Sequence, residues 1–228
     1  MTRQLSLTQF DTETAFNPMR FLRLVLFVLA VGFCLQSAPA IASPTPQQFV
    51  DDLANKAFAV LRDDTLEDAA RFQKFRSLLR EGVDLPRVGR FVLGKYWRRA
   101  TPEQRSEYDS LFGDYVIASY ASRLSEYAHS TVTVKGVVSN SGKEHIVTTL
   151  VRAPKAVEPI RVDWRVRDSG QGLKIVDIMI EGISMAISQR SEFASVIQSN
   201  GGDMTVLLDR LRGVAATIQP PEKVSASN

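Results

Sequence analysis

Residues 85–127 read LPRVGRFVLGKYWRRATPEQRSEYDSLFGDYVIASYASRLSEY, and the rest of the chain is arranged around this stretch. It opens with a short apolar and aromatic run (Phe91, Val92, Leu93, Tyr96, Trp97) and a turn. Thr101 is placed as an N-cap, Pro102 as the first helical residue and Gln104 as the third, the pattern of a capping box. Leu111, Phe112, Tyr115, Val116, Tyr120 and Leu124 then recur at three- and four-residue spacing, one broad apolar stripe on a helix running to about Tyr127. The stretch holds no nucleophile–base pair and no metal-ligand set. What it offers is apolar surface in a helical frame, suited to lining or covering something greasy.

Working outward toward the N-terminus, Asp84 caps a short helix through Phe91, with Gly94 near its end. Before it, Leu66, Ala69, Ala70, Phe72, Phe75, Leu78 and Leu79 mark a helix stopped at Gly82, with Asp63-Asp64-Thr65 as its turn and N-cap. Thr45-Pro46 opens an earlier helix to about Arg62, striped by Phe49, Leu53, Phe58 and Leu61.

After residue 129 the period changes. Thr131-Val132-Thr133-Val134 alternates, Asn140-Ser141-Gly142-Lys143 is a turn, and His145 to Arg152 is a second strand. Ile160, Val162, Trp164 and Val166 alternate with Arg161, Asp163, Arg165 and Arg167, a strand with one wet face. Asp168 to Gly172 is a hairpin turn, and Leu173 to Ile180 closes the series. Helical pattern returns at Ser184. Gly201-Gly202 breaks it, and Asp203 caps a last helix to about Ala216. The tail from Gln219 has a disordered composition. The predicted fold is α+β: helices packed on one face of a four-stranded antiparallel sheet.

The chain has 228 residues, a formal charge of +3 and 44% hydrophobic residues, enough for one domain with a real core. So mild a positive charge argues against a dedicated nucleic-acid binder. Arg20 and Arg23 precede an apolar run, Leu24 to Leu35, and then Ser37-Ala38-Pro39-Ala40-Ile41-Ala42-Ser43. That is a secretory signal, cleaved after Ala40 or Ala42. Its apolar run is well short of the roughly 20 residues a spanning helix needs. Translation from Met1 gives an extended basic region and translation from Met19 a signal of ordinary proportions; both fit. The single cysteine, Cys34, lies inside the signal. Phe33 before it is too bulky for a lipoprotein cleavage box, so the mature chain has no thiol. The expected organisation is a signal over 1–42, one domain over 43–218 and a tail over 219–228, and the expected address is the periplasm.

Catalytic and metal-binding classes find little support. The two histidines, His129 and His145, stand near no nucleophile elbow, and with no mature cysteine a zinc site is disfavoured. There is no phosphate loop or dinucleotide fingerprint. The acidic pairs Asp51/Asp52 and Asp63/Asp64 fall in turns or helix starts, where they meet the helix dipole. Asp163 and Asp177 are the strand-borne acids a pocket enzyme would use, and alternation turns Asp163 toward water. Basic residues gather around Arg90, Lys95, Arg98 and Arg99, and along Lys155, Arg161, Arg165 and Arg167. Each group is a solvated face or a docking surface for an acidic partner or anionic membrane. What remains is abundant apolar surface, which a filled core and a pocket would share.

Phe91-Val92-Leu93-Gly94-Lys95-Tyr96-Trp97-Arg98-Arg99-Ala100-Thr101-Pro102-Glu103-Gln104 resembles the signature of the MlaC family, also called the toluene-tolerance auxiliary family. So does Asp177-Ile178-Met179-Ile180-Glu181-Gly182-Ile183-Ser184, followed by Arg190-Ser191-Glu192-Phe193. The resemblance spans about Pro46 to Gly213 and departs at Gln189, where an aromatic residue is expected. It implies a phospholipid carrier that holds acyl chains in an apolar cavity between sheet and helices. The implied partners are an outer-membrane lipoprotein–porin complex and an inner-membrane ABC transporter with a lipid-binding ring subunit, in traffic that maintains outer-membrane asymmetry. A hopanoid-carrying branch and an enzyme using the same pocket are the alternatives. The resemblance implies no cofactor, and a shuttle that must diffuse is expected to be a monomer. Apolar periodicity, not a family residue map, nominates Phe91, Val92, Tyr96, Trp97, Phe112, Val116, Tyr120, Trp164, Val166, Ile178, Ile180, Ile183 and Phe193 as the lipid-facing set.

Overall fold

The computed structural model describes residues 43–126, 129–154 and 156–216. The signal segment, Tyr127, Lys155 and the tail expected from Gln219 lie outside the described residues. Helix α1 (Pro46–Arg62) starts at a capping box in which Thr45 Oγ1 accepts from Gln48 N and Gln48 Oε1 accepts from Thr45 N. Helix α2 (Asp68–Gly82) begins two residues later than its sequence suggests, with Glu67 as an N-cap that makes no side-chain bond. Thr65, the expected cap, is taken by an Asx turn: its N–H and its hydroxyl both donate to Asp63 Oδ1.

Asp84 caps α3 (Leu85–Leu93) by accepting from Arg87 N. The following Gly94 adopts φ +57° and ψ −123°, a conformation open in practice only to glycine. That joint lets a separate short helix, α4 (Lys95–Arg99), leave in a new direction where the sequence suggested a simple turn. The predicted capping box at Thr101 forms, with Thr101 N donating to Gln104 Oε1 (3.0 Å) and Gln104 N to Thr101 Oγ1 (3.2 Å). It opens α5 (Pro102–Glu126). Ser184 caps α6 (Met185–Ser199), and Asp203 Oδ1 accepts from Thr205 N at the start of α7 (Met204–Ala216).

The sheet has five antiparallel strands in sequential order, not four: β1 (Thr131–Ser141), β2 (Glu144–Arg152), β3 (Ile160–Asp168), β4 (Leu173–Ile180) and β5 (Ile183–Ser184). The fifth exists because Glu181 and Gly182 both take positive φ, a two-residue turn that folds the chain back on β4 and pairs Ile180 with Ile183. Register places Val147 opposite Trp164, and Trp164 opposite Ile178. It likewise sets Thr149 against Val162, and Val162 against Ile180. One face is therefore apolar, and the other carries Thr148, Arg161, Asp163, Arg165 and Arg167.

The helices reach this sheet at two places. Helix α1 lies against β1 and β2, whereas α2, α3 and α6 reach it at β4. The buried apolar residues divide accordingly. A large cluster joins α3 to α7, with Val92, Leu93, Tyr96, Tyr108, Phe112, Phe193 and Leu207 at its centre. A smaller one sets Val50 of α1 on Val147 and Val166 of the sheet.

Candidate functional site

Trp164 sits at the middle of the apolar sheet face, on the central strand. Its indole N–H donates to Thr149 Oγ1 (2.9 Å), and that hydroxyl donates to the carbonyl of Val162 (3.2 Å). Both polar groups are thus satisfied within the sheet, and the rest of the indole is left as half-buried apolar surface. Ile178 lies beside it, also half-buried. Phe49, Val134 and Leu173 pack at the margin of the small sheet cluster. Val116 lies at the margin of the helical cluster.

Several nominated residues belong to the helical cluster. Tyr108 and Phe112 stack at 5.4 Å, and Phe193 meets Tyr108, Phe112 and Tyr115 edge-on at 6.3, 6.4 and 5.3 Å. Val92 and Tyr96 are buried in the same cluster. Trp97 is packed against it, covered by the guanidinium groups of Arg90 (4.8 Å) and Arg105 (5.7 Å). Val166 is fully buried under α1. Phe91, Ile180 and Ile183 are exposed. Tyr120 lies on α5, its side chain outside the described ones. Phe49 and Val50 were not nominated. The stripe of α1 was visible in the sequence, but periodicity alone does not say which surface a helix covers.

The strand-borne acids are both buried, and both are occupied. Asp163 does point to the polar face, as its alternation requires, but it is not solvated. Thr148 Oγ1 donates to its Oδ1 at 2.5 Å, and the Arg161 guanidinium lies over it, 3.0 Å from Oδ2, so only 6% of the residue is exposed. Asp177 Oδ1 accepts from Ile178 N and Ala186 N, and its Oδ2 accepts from Ser184 Oγ. This carboxylate ties the first turn of α6 to β4, where it meets the positive end of the helix dipole. His145 Nδ1 stands 3.0 Å from Ser139 Oγ, and His129 is exposed in a turn. Burial pushes the Tyr108 hydroxyl well above its ordinary pKa, with Asp109 and Tyr115 adding to the effect. It remains a neutral donor to Gly89 O at 3.0 Å. Burial also raises the Asp109 carboxyl, against the opposing pull of Arg90.

Of the predicted basic strip on β3, Arg161 pairs with Asp163, and Arg167 pairs with Glu144 at 2.5 Å. Among the described residues no cluster of His, Cys, Asp and Glu is arranged to hold a metal ion, and no helix is long and apolar enough to cross a membrane. Two surface depressions, one along the first turns of α5 and one between α6 and α7, are lined by none of the nominated residues.

Comparison with known proteins gives a consistent result. The family model described as MlaC protein matches residues 51–213. The toluene tolerance protein Ttg2D of Pseudomonas putida is 26% identical over 201 residues, covering 86% of this chain and 91% of that protein. The intermembrane phospholipid transport system binding protein MlaC of Haemophilus influenzae is 23% identical over 195 residues, covering 82% and 90%. Among solved structures, the phospholipid-binding protein of Ralstonia solanacearum in complex with a phospholipid superposes with a TM-score of 0.66 at 26% identity, covering 77% of this chain and 99% of that one. With the family match extending over the sheet and the helices on both sides of it, this chain belongs to the MlaC family.

Proposed function

We propose that this chain is a periplasmic phospholipid carrier that shields acyl chains in transit between the two membranes. The observation that carries the reading is the division of the apolar core. One cluster lies among α3 to α7 and the other between α1 and the sheet, and Trp164, on the central strand, stays half-buried with its polar group already satisfied. A solid domain ordinarily has one contiguous core with smaller satellites under its loops, whereas the second cluster here lies on the sheet itself. Acyl chains laid along β3 against Trp164 and Ile178, reaching toward Val116 at the edge of the helical cluster, would join the two clusters. Each methylene removed from water contributes about 0.8 kcal/mol, so two chains supply ample affinity while the head group stays at the mouth. The Ralstonia relative, bound to a phospholipid on this fold, supports the reading. So does the Haemophilus relative, a component of an intermembrane phospholipid transport system.

The partners follow from that reading: an outer-membrane lipoprotein–porin complex at one end and an ABC transporter with a lipid-binding ring subunit at the other. The reading assigns no catalytic role to Asp163 and Asp177, whose hydrogen bonds have structural partners. The test is purification from a bacterial periplasm without detergent, followed by solvent extraction and mass spectrometry. Stoichiometric phospholipid is the expected result. A lipid-free protein that also refuses added phospholipid would refute the proposal, and a hopanoid in its place would move the chain to the other cargo class. Val116→Trp and Ile178→Trp are each expected to lower the load while the melting temperature holds.

A further inference from the structure

Four large apolar side chains left out of the core gather in one region. Ile183 is 61% exposed, Ile187 57%, Phe91 44% and Ile180 39%. Ile180 and Ile183 are cross-strand partners and so share a face of the β4–β5 hairpin. Ile187 follows at once in the first turn of α6, its N–H bonded to the Ser184 cap that ends β5. Three residues further along α6, Arg190 lays its guanidinium over the Phe91 ring at 5.1 Å and donates from Nη1 to Phe91 O at 3.3 Å. A hairpin tip, a helix start and a helix end thus carry four exposed apolar groups at neighbouring positions.

This strip is ringed by positive charge. Arg87 lies one helical turn before Phe91, and Lys95 and Arg190 flank it; all three are exposed. Among the described residues neither Arg87 nor Lys95 is ion-paired. Of the nearby carboxylates, Glu192 is paired with Arg210, whereas Asp84, which caps α3, and Glu181, which accepts from Arg161 N, keep their charge and are outnumbered by the cations. Three of the four apolar groups are isoleucines. Protein hot spots favour Trp, Tyr and Arg, whereas aliphatic groups set among long cationic side chains suit a fluid interface with phosphates at its surface.

We infer that this strip is the surface on which the protein settles on an anionic phospholipid bilayer. The isoleucines and Phe91 enter the head-group layer while Arg87, Lys95 and Arg190 meet lipid phosphates. The inference stands apart from the cargo reading, because bilayer binding and lipid load are measured separately.

The experiment sediments the periplasm-purified chain with vesicles of phosphatidylcholine alone, or of phosphatidylcholine and phosphatidylglycerol in equal parts. Binding is expected to the second only, and to fade at high salt as the charges are screened. Each basic group near such a surface contributes about fivefold to affinity. Arg87→Glu with Lys95→Glu should therefore weaken binding by at least about 25-fold. Ile187→Asp should abolish it, with lipid load and melting temperature unchanged; if that variant does not fold, Ile187→Ser serves with a smaller loss. Three results would overturn the inference: no binding to phosphatidylglycerol vesicles, equal binding to both compositions, or no effect of a folded Ile187 variant. The first would leave the strip to a protein partner.

Discussion

A Cβ at Gly89 would stand 3.0 Å from Cδ1 of Phe112 and 3.3 Å from Cε1 of Tyr108. Both rings are buried in the helical cluster and held by Phe193, so neither has room to withdraw. Alanine would gain up to about 1 kcal/mol in helix propensity over glycine. The crowding costs more, about 1–3 kcal/mol, so Gly89→Ala is expected to lower stability in urea unfolding. Tyr108→Phe keeps the ring but removes the second donor to the Gly89 carbonyl, which also accepts within α3, at a cost of about 0.5–1.5 kcal/mol by the same measurement. Tyr108 is among the largest fully buried side chains, yet its place was not legible in the sequence. A tyrosine ahead of an apolar stripe reads as a wet helix end. What buries this one is a carbonyl 19 residues away on α3, a tertiary partner that no local pattern announces.

At the level of elements, the alternation of β3 and the turn residues before β4 were sufficient to place both strands, because one buried face imposes a period of two. Helix α4 and strand β5 were harder, since each depends on backbone conformation at a single joint. Gly94 lets α4 leave α3, and its missing side chain leaves room for the Arg190 guanidinium, whose nearest atoms would lie 3.0 Å from a Cβ. Gly94→Ala is expected to destabilise by about 1–3 kcal/mol, read by denaturant unfolding, because φ +57° with ψ −123° strains any L side chain. Asp177 is the corresponding anchor for α6. Asp177→Ala strands the N–H of Ala186 and the hydroxyl of Ser184, with an expected loss of about 1–3 kcal/mol. Hydrogen exchange should rise first in the opening turn of α6, where that carboxylate now closes two donors, and later in the sheet.

For the molecule as a whole, the sequence identified apolar positions but not their allegiance. Phe112, Phe193, Trp164 and Ile178 all look alike by periodicity. In the fold the first two close the helical cluster, while the second two face each other on the sheet. Burial is a property of a residue, but lining a cavity depends on what the opposite wall does, and that wall belongs to elements far away in the sequence. The two tryptophans make the distinction measurable, because they fall on opposite sides of it. Trp97 is packed on the helical cluster between Arg90 and Arg105. Trp164 sits over the central strand, where the proposed acyl chains would run. In the Trp97→Phe protein the remaining indole should lose most of its emission when loaded with phospholipid carrying brominated acyl chains, because the bromines would lie in contact with Trp164. In the Trp164→Phe protein the same lipid should leave Trp97 bright. Equal quenching of the two would place the chains among the helices and move the site from β3 into the α3–α7 cluster. Quenching of neither, with lipid shown to be bound, would put the cargo outside the fold altogether.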